Sequence, residues 1–413
     1  MEVLKIATAG SVDDGKSTLI GRILYDTRSL TDDKLEAIER TSKQKGFDYL
    51  DFSLATDGLV AEREQGITID VAHIYFSTAK KSYIIADTPG HVEYTRNMVT
   101  GASTSQAAII LVDARNGLIE QTYRHFFINN LLEIKDIIIA VNKMDLVDFS
   151  QEKFEVIKQE ITALAKRAGS TQNITFIPVS ALQGDNVVNK SKHTPWYAGA
   201  TLLEHFESLE AQDVYRASVA RLPVQTIIRP KTEEFHDFRG YAGKLYGGSL
   251  AIGDEVTVLP SKTTSKIKDL YFFDKKYSVA ERGTSINITL ENDINISRGD
   301  LIVKSSELPQ ETKVLHAKVC WMDVANLVVG KKYLIQQGAN VIAAKVTSID
   351  ALIATDFSGE KEATALQINE IGKVSFKLAK TLFYDAYTVN KTTGSFVLID
   401  PQTNNTSGAG FIQ

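Results

Sequence analysis

The sequence contains only one cysteine, Cys320, among its 413 residues. A single thiol can form neither a disulfide within the chain nor a cysteine-ligated metal cluster. The residues around Cys320 alternate between apolar and polar, which is typical of a β-strand, so we interpret it as a small core residue. The chemistry of this protein therefore has to come from other side chains.

A long apolar run is also missing, since no stretch approaches the length of a transmembrane helix. The short apolar run near the N-terminus leads directly into a glycine-rich loop and lacks the architecture of a signal peptide. We therefore expect a cytoplasmic protein. The formal net charge is only −5, so the chain as a whole has no strong attraction for nucleic acid or for anionic lipid.

The composition is that of a globular protein, with 43% hydrophobic and 23% charged residues. The length predicts roughly two to four domains of about 150 residues each. No repeat array and no low-complexity region is found.

The strongest motif reads Gly-Ser-Val-Asp-Asp-Gly-Lys-Ser-Thr and matches the phosphate-loop pattern G-x-x-x-x-G-K-[ST]. It lies between a strand candidate at 3–9 and a helical pattern at 19–25. Glycine lets the backbone direct N–H groups at a phosphate, and a helix that starts at the loop adds its positive end. Lys16 would contribute a cation, and the Ser17 hydroxyl would bind Mg²⁺. The predicted phosphate-binding residues are Gly10, Ser11, Val12, Asp13, Asp14, Gly15, Lys16, Ser17 and Thr18.

A second motif follows an apolar strand at 82–87 and reads Asp87, Thr88, Pro89, Gly90 and His91. Ligands of a parallel α/β sheet gather at the carboxyl ends of its strands. An aspartate at such an end, beside a phosphate loop, can hold Mg²⁺ through water. The backbone N–H of glycine can approach a terminal phosphate. Together with the phosphate loop, this motif predicts a nucleoside triphosphate site.

The stretch between these motifs, residues 26–70, is long for a connection, which indicates a functional or mobile segment. It contains a helical pattern at 32–45 and ends at Thr68, a hydroxyl on a loop just before a strand at 71–76. Alone, Thr68 would be an ordinary strand residue.

A third motif, Asn142, Lys143, Met144 and Asp145, follows the apolar strand at 136–141. The Asp145 carboxylate can accept two hydrogen bonds from the N1–H and N2–H₂ edge of guanine, which adenine does not offer. After the next strand, at 173–179, come Ser180, Ala181 and Leu182. A small residue there lets backbone N–H groups reach guanine O6. These two segments predict a preference for guanine.

Strands spaced 25–40 residues apart and separated by helical patterns predict a mainly parallel sheet. From Leu222 onward, short alternating runs with close turn signals predict small antiparallel barrels instead. We therefore predict an α/β P-loop GTPase domain, a mainly parallel sheet with helices on both faces, followed by two small antiparallel β-barrels. The predicted domains cover residues 1–217, 218–309 and 310–413, and the polar tail at 402–410 is predicted to be a loop.

These motifs, in this order, resemble translational-type GTPases such as elongation factor Tu and elongation factor 1-alpha over nearly the whole chain. Residues 66–68, Gly-Ile-Thr, and residues 96–98, Arg-Asn-Met, strengthen the resemblance. The phosphate loop departs from that of the tRNA carriers at Ser11 and Asp14. Together with residues 62–72 and the Gly-Asp corners at 253–254 and 299–300, it resembles the family of GTPase subunits of sulfate adenylyltransferase.

The resemblance implies roles residue by residue. Lys16 and the backbone of 13–18 bind the phosphates, and Mg²⁺ is held by Ser17, Thr68 and, through water, Asp87. Gly90 senses the γ-phosphate, His91 positions the attacking water, and Val12 and Ile67 flank it as an apolar gate. Residues 142–145 and 180–182 read guanine, and residues 26–70 and 87–105 act as switches. The implied catalytic residues are thus His91, Thr68, Lys16 and Gly90, and the implied cofactors are GTP and Mg²⁺.

The resemblance also implies a partner, the smaller catalytic subunit 2 of sulfate adenylyltransferase, in a heterodimer or an assembly of heterodimers. That subunit would form adenylyl sulfate and pyrophosphate from ATP and sulfate, with GTP hydrolysis on this chain driving the reaction. Since no second phosphate loop is present, we expect no adenylylsulfate kinase activity. The sequence itself contains no site that we can assign to ATP or sulfate.

Two alternatives stay open at this point. An elongation factor that delivers aminoacyl-tRNA would need a basic surface, yet residues 221–413 hold 23 Lys and Arg against 21 Asp and Glu. A local basic patch could still lie within that neutral total. A GTP-binding scaffold without hydrolysis is disfavoured by the presence of His91, Thr68 and Asp87.

Overall fold

A computed structural model of the chain describes residues 2–44, 46, 49–55, 70–90, 95–210, 219–230, 238–273 and 275–413. The chain divides into two compact units. The first unit covers residues 1–212 and 355–358, and the second covers residues 213–354 and 359–413. No helix within the described ranges is long and apolar enough to span a bilayer.

The first unit is built on a six-stranded sheet with the strand order β2-β3-β1-β4-β5-β6. Its strands are β1 (Val3–Ala9), β2 (Ala72–Ser77), β3 (Ser82–Asp87), β4 (Ala107–Asp113), β5 (Asp136–Asn142) and β6 (Asn173–Pro178). All neighbouring pairs are parallel except β2 and β3. The carboxyl ends of β1, β3, β4, β5 and β6 therefore meet at one edge of the sheet.

The apolar sequences of β4 and β5 explain why these strands lie inside the sheet. Every residue of β4 is buried, as is every residue of β5 except the first, which is the pattern of a parallel sheet covered on both faces. The described helices of this unit are α1 (Lys16–Asp26), α2 (Asp32–Gln44), α3 (Thr95–Ala102), α4 (Glu120–Leu131), α5 (Gln151–Arg167) and α6 (Leu202–Ser208). Short 3₁₀ turns lie at Phe52–Ala55 and Met144–Val147.

Helix α6 shows how the chain encodes a helix start. The Thr201 hydroxyl accepts a hydrogen bond from the Glu204 N–H, and the Glu204 carboxylate accepts one from the Thr201 N–H. This reciprocal capping box satisfies two donors that the first helical turn leaves without partners. Leu202 and Phe206 then anchor the helix in the core of the first unit.

In its described residues, the second unit contains two large antiparallel sheets and two small two-stranded ones. The large sheets form the two barrels. In the first, β7, β16, β11, β12, β15, β9 and β8 pair in that order, with β13 added beside β12. A bridge between Arg221 and Tyr246 joins the β7 end to the chain just after β9 and so closes the sheet into a barrel. In the second, β19, β24, β25, β17, β23 and β20 form a closed ring, because β19 also pairs with β20.

The strands of the first barrel region are β7 (Arg221–Pro223), β8 (Thr226–Ile228), β9 (Gly240–Lys244), β10 (Leu250–Ala251), β11 (Glu255–Leu259), β12 (Thr263–Phe272), β13 (Lys275–Tyr277), β14 (Val279–Ala280), β15 (Ser285–Leu290) and β16 (Leu301–Lys304). Those of the second are β17 (Gln310–Trp321), β18 (Leu327–Val328), β19 (Lys332–Gln337), β20 (Asn340–Ile353), β21 (Glu360–Lys361), β22 (Ala365–Leu366), β23 (Ile371–Tyr384), β24 (Ser395–Ile399) and β25 (Thr406–Ile412). Each barrel encloses its own apolar core.

A buried ion pair joins the two barrels within the second unit. The Arg221 guanidinium donates to both carboxylate oxygens of Asp385, at 2.9 and 2.8 Å. Arg221 also donates to the Glu307 carbonyl at 2.7 Å, and Thr393 donates its hydroxyl to Asp385. Because Arg221 is only 1% exposed, this cluster fixes the contact between β7 and the end of β23.

The predicted architecture is confirmed: a P-loop domain with a mainly parallel sheet is followed by two antiparallel barrels. The prediction of a loop at 402–410 is wrong over most of its length, because β25 pairs with both β17 and β24. Its residues are small and polar, yet they fill a central place in the ring. The domain limits at residues 217 and 309 stay predictions, and the first of them lies outside the described residues.

Candidate functional site

The phosphate loop connects the end of β1 to the start of α1. Gly15 has a φ of +91°, a left-handed conformation that favours glycine. A Cβ at this position would lie 2.5 Å from the Asn142 side-chain nitrogen, so a larger residue would collide there as well. The Lys16 ammonium group donates to the carbonyl oxygens of Gly10 at 2.9 Å and Ser11 at 3.3 Å. The lysine side chain therefore folds back over the loop.

Lys16 is a buried cation, with 7% of the residue exposed. Burial lowers its pKa, and the carboxylates of Asp87 and Asp14 oppose that shift. A positive charge held in so little water interacts strongly with an anion that enters the loop.

Asp14 forms two hydrogen bonds with Ser11 inside the phosphate loop. Its carboxylate accepts the Ser11 N–H at 2.6 Å, while the Asp14 N–H donates back to the Ser11 carbonyl at 3.2 Å. Burial raises the pKa of Asp14 to about 6, against the lowering effects of the Ser11 hydrogen bond and Lys16. The two departures from the tRNA-carrier motif, Ser11 and Asp14, therefore contact each other.

Asp87 and Gly90 lie beside this loop at the end of β3. The register pairs Thr8 with Asp87, and the Thr8 hydroxyl donates to the Asp87 carboxylate at 3.1 Å. A Cβ on Gly90 would lie 2.2 Å from the Gly10 carbonyl and 2.6 Å from the Lys16 nitrogen. Only glycine fits in this place, and its backbone reaches the phosphate loop.

Asn142 connects the phosphate loop to the segment predicted to read the base. Its side-chain nitrogen donates to the Asp14 carbonyl at 2.7 Å, and its side-chain oxygen accepts the Ala181 N–H at 2.9 Å. Asn142 is 1% exposed. One amide thus holds two loops that lie far apart in sequence.

Lys143 of the third motif contacts an acidic residue, Asp113, that the sequence analysis missed. Asp113, at the end of β4, forms an ion pair with Lys143 at 3.1 Å and accepts two hydrogen bonds from the Arg115 guanidinium, at 3.0 and 2.7 Å. Burial by itself would raise the pKa of Asp113, but the hydrogen bonds from Arg115 and Lys143 outweigh it and hold the pKa at about 2. An aspartate at the end of a buried parallel strand, like Asp87, was the signal that could have identified it.

Asp145 follows Lys143 in the 3₁₀ turn and is partly exposed. Ser180 and Ala181 are buried at the end of β6, while Leu182 is 36% exposed. The Met144 N–H donates to the Val179 carbonyl at 3.2 Å, which brings the two predicted base-reading segments together. The structure therefore gathers residues 10–18, 87–90, 142–145 and 180–182 at one sheet edge.

Some predicted site residues lie outside the described residues, namely Thr68, His91 and Ile67. Their predicted roles stay predictions. Val12, the other half of the predicted gate, is 38% exposed.

Comparison with known proteins agrees with this geometry. The family described as Elongation factor Tu GTP binding domain matches residues 1–221, and GTP-eEF1A C-terminal domain-like matches residues 314–413. The bifunctional enzyme CysN/CysC of Mycobacterium tuberculosis is 49% identical over 412 residues, which cover 99% of this chain and 67% of that protein. Sulfate adenylyltransferase subunit 1 of Bacteroides fragilis is 48% identical over 100% of this chain and 86% of that protein. The corresponding subunit of Pseudoalteromonas atlantica is 46% identical over 100% and 87%.

The family match covers more than half of the chain, and the relatives are 46–49% identical over nearly its full length. Both findings assign the chain to one family. The chain is a GTP-binding protein that belongs to the elongation factor Tu family of GTPases, in the branch of sulfate adenylyltransferase subunit 1.

Proposed function

We propose that this chain is the GTP-hydrolysing subunit of a sulfate adenylyltransferase and that it acts in sulfate assimilation in the cytoplasm. The observation that carries the proposal is the site at the sheet edge, where Lys16, Asp87 and Asn142 converge, in a chain close in sequence to subunit 1 proteins. Its partner is the small catalytic subunit 2, which forms adenylyl sulfate and pyrophosphate from ATP and sulfate.

The geometry of the loop supports the proposed nucleotide binding. The backbone N–H groups of residues 13–18 and the buried Lys16 ammonium bind the phosphates, with the positive end of α1 behind them. Asp145 accepts hydrogen bonds from the guanine edge. Asn142 keeps the base and phosphate loops in register, so both ends of GTP are bound by one connected structure.

The donor groups at the site also fit a magnesium ion. Ser17 offers a hydroxyl and Asp87 a carboxylate, and oxygen ligands of this kind are those that Mg²⁺ prefers. Ser17, Thr68 and Asp87 would hold the ion, Asp87 through water. When bound, Mg²⁺ neutralises charge that develops on the phosphate oxygens.

Hydrolysis needs an oriented water and a means of reporting the γ-phosphate. His91 orients the attacking water, with Val12 and Ile67 on either side of it, and the Gly90 N–H contacts the γ-phosphate. Loss of that phosphate releases the switch segments at 26–70 and 87–105. The catalytic subunit then senses the change, and the free energy of GTP hydrolysis drives its uphill reaction.

The test is GTP hydrolysis by the purified chain, first alone and then with its catalytic subunit, with and without ATP and sulfate. We expect stimulation that requires the partner, together with accumulation of adenylyl sulfate beyond the level reached without GTP. Lys16→Ala should abolish both effects, whereas Lys80→Ala, at an exposed lysine that pairs with Glu207, should leave them unchanged.

A different result in the same assay would contradict the proposal. If the partner has no effect but GTP-dependent binding protects the ester bond of aminoacyl-tRNA, the chain is a tRNA carrier and the proposal is wrong.

A further inference from the structure

Arg22 lies on α1, well beyond the phosphate loop, and contacts the segment that follows the end of β6. Its Nη1 donates to the Leu182 carbonyl at 3.1 Å, and its Nε donates to the Asp26 carboxylate at 2.9 Å. The side chains of Arg22 and Asp26 are only 19% and 8% exposed. The carboxylate, one helical turn further along α1, thus holds the guanidinium toward Leu182.

The backbone at Gly184 receives the other side of the guanidinium. A Cβ at Gly184 would lie 2.3 Å from the Arg22 Nη2, and its φ is +87°. Gly184 therefore allows both the left-handed backbone conformation and the close approach of the Arg22 guanidinium. Residues 182–184, which we call the base-loop end, rest on Arg22.

Arg22 also contacts Phe52, which lies within the predicted first switch at 26–70. Its guanidinium carbon is 5.4 Å from the centre of the Phe52 ring and 5.9 Å from that of Tyr25, within the range of cation–π attraction. The two rings lie 5.0 Å apart, and Phe52 is 4% exposed. Phe52 begins the 3₁₀ turn that precedes residues 56–69.

The hydrogen bonds at the base-loop end leave one donor for the base. The Ala181 N–H already donates to Asn142, whereas the Leu182 N–H donates to no atom of the described residues. The carbonyl of the same residue is the one that Arg22 holds. A shift of Leu182 would therefore move the donor that can reach guanine O6.

From these contacts we infer that Arg22 is a positioning residue for guanine recognition, which fixes the base-loop end for contact with O6 and links it to Phe52. The inference rests on the proposed guanine site. In this inference Arg22 acts through its hydrogen bond to Leu182 and not through a contact of its own with the nucleotide.

The test compares GDP with 6-thio-GDP, in which sulfur, a weak hydrogen-bond acceptor, replaces O6 while the N1–H and N2–H₂ groups that Asp145 reads are kept. Arg22→Met should weaken GDP binding about tenfold, the value of roughly one hydrogen bond. Binding of the analogue should change little, so the affinity ratio between the two nucleotides falls. Arg40→Met, at an exposed arginine on α2, is the matched control.

Two further variants separate positioning from folding. Arg22→Lys keeps a donor for the Leu182 carbonyl and should restore most of the affinity ratio. Phe52→Leu should lower the affinity ratio between the two nucleotides less than Arg22→Met does. The double variant with Arg22→Met and Phe52→Leu should lower that ratio by less than the product of the two single effects, because the two side chains act together.

Equal losses for GDP and the analogue would mean that Arg22 only supports the fold, and no loss for either nucleotide would mean that it has no role in reading the base. Either result overturns the inference while leaving the proposed function in place. A wild-type chain that binds neither nucleotide would overturn the proposed guanine site and this inference together. If Arg22→Met does not fold, the same comparison with Phe52→Leu decides, because the inference then requires a ratio lower than that of wild type.

Discussion

Asp14 stabilises the phosphate loop through a hydrogen bond, but its buried charge lowers the stability of the folded chain. Its carboxylate accepts the Ser11 N–H, but burial raises its pKa from 3.8 to about 6. The folded chain therefore holds the proton more tightly than the unfolded chain does. Ionising Asp14 then costs stability as the pH rises from about 4 to about 6, and the cost stays constant above that range.

Asp14→Asn should remove this cost, since an amide oxygen can still accept the Ser11 N–H. Without nucleotide, we expect the variant to gain about 2 kcal/mol relative to wild type between pH 4 and pH 7. Urea unfolding at several pH values measures the difference. Asp13→Asn, at an exposed neighbouring carboxylate, is the control, and a difference that does not vary with pH would contradict the prediction.

A second prediction for a single residue concerns Asp145. Asp145→Asn offers the guanine edge an amide in place of a carboxylate, so GTP affinity should fall by about 100-fold and xanthine nucleotides should bind better. Competition binding with GTP and XTP measures both. Asp148→Asn changes an exposed carboxylate three positions away and should have little effect. Unchanged GTP affinity in Asp145→Asn would refute the assignment of this residue to the base.

Local motifs in the sequence were sufficient to single out Lys16, Gly90 and Asn142, which the structure brings together, while their roles stay predictions. Such motifs were not sufficient for Arg22 or Asp113, because their partners Leu182 and Lys143 are distant in sequence. Such contacts depend on which strand ends meet, and no local pattern records that.

At the scale of elements, β25 is the informative case. Its sequence, Thr-Ser-Gly-Ala-Gly-Phe-Ile, has small residues that predict a loop rather than a strand. The reason is packing: a Cβ on Gly410 would lie 2.1 Å from the Phe396 ring. The neighbouring strand supplies the bulk, and β25 leaves the space for it. Apolar strands such as β4 and β5, by contrast, were predictable because their burial is uniform.

Gly410→Ala should therefore destabilise the second barrel by about 1–3 kcal/mol, the usual cost of overpacking a core. The double variant with Phe396→Leu should recover part of that loss, because the smaller side chain makes room. Chemical denaturation followed by circular dichroism gives both values. If Gly410→Ala is as stable as wild type, the ring does not restrict this strand.

At the scale of the whole molecule, the second unit depends on the ion pair between Arg221 and Asp385. Arg221→Met leaves a buried carboxylate without its partner and should cost about 3 kcal/mol or more. The double variant with Asp385→Asn should be less affected, since no charge remains buried. Urea unfolding measures the difference.

Arg239→Met is the matched control for that pair, because its partner Asp293 is 82% exposed and exposed ion pairs contribute little. Equal losses from the two arginine variants would show that burial gives the Arg221 pair no special weight.

The closure of the second barrel has a consequence for how this protein behaves in a crowded solution. The six strands of its ring each have a neighbour on both sides, so none of these six is an edge strand. An unpaired strand edge is the usual template on which one chain adds to another and aggregation begins. The ring presents no such template while it stays closed, and partners must recognise its side chains instead.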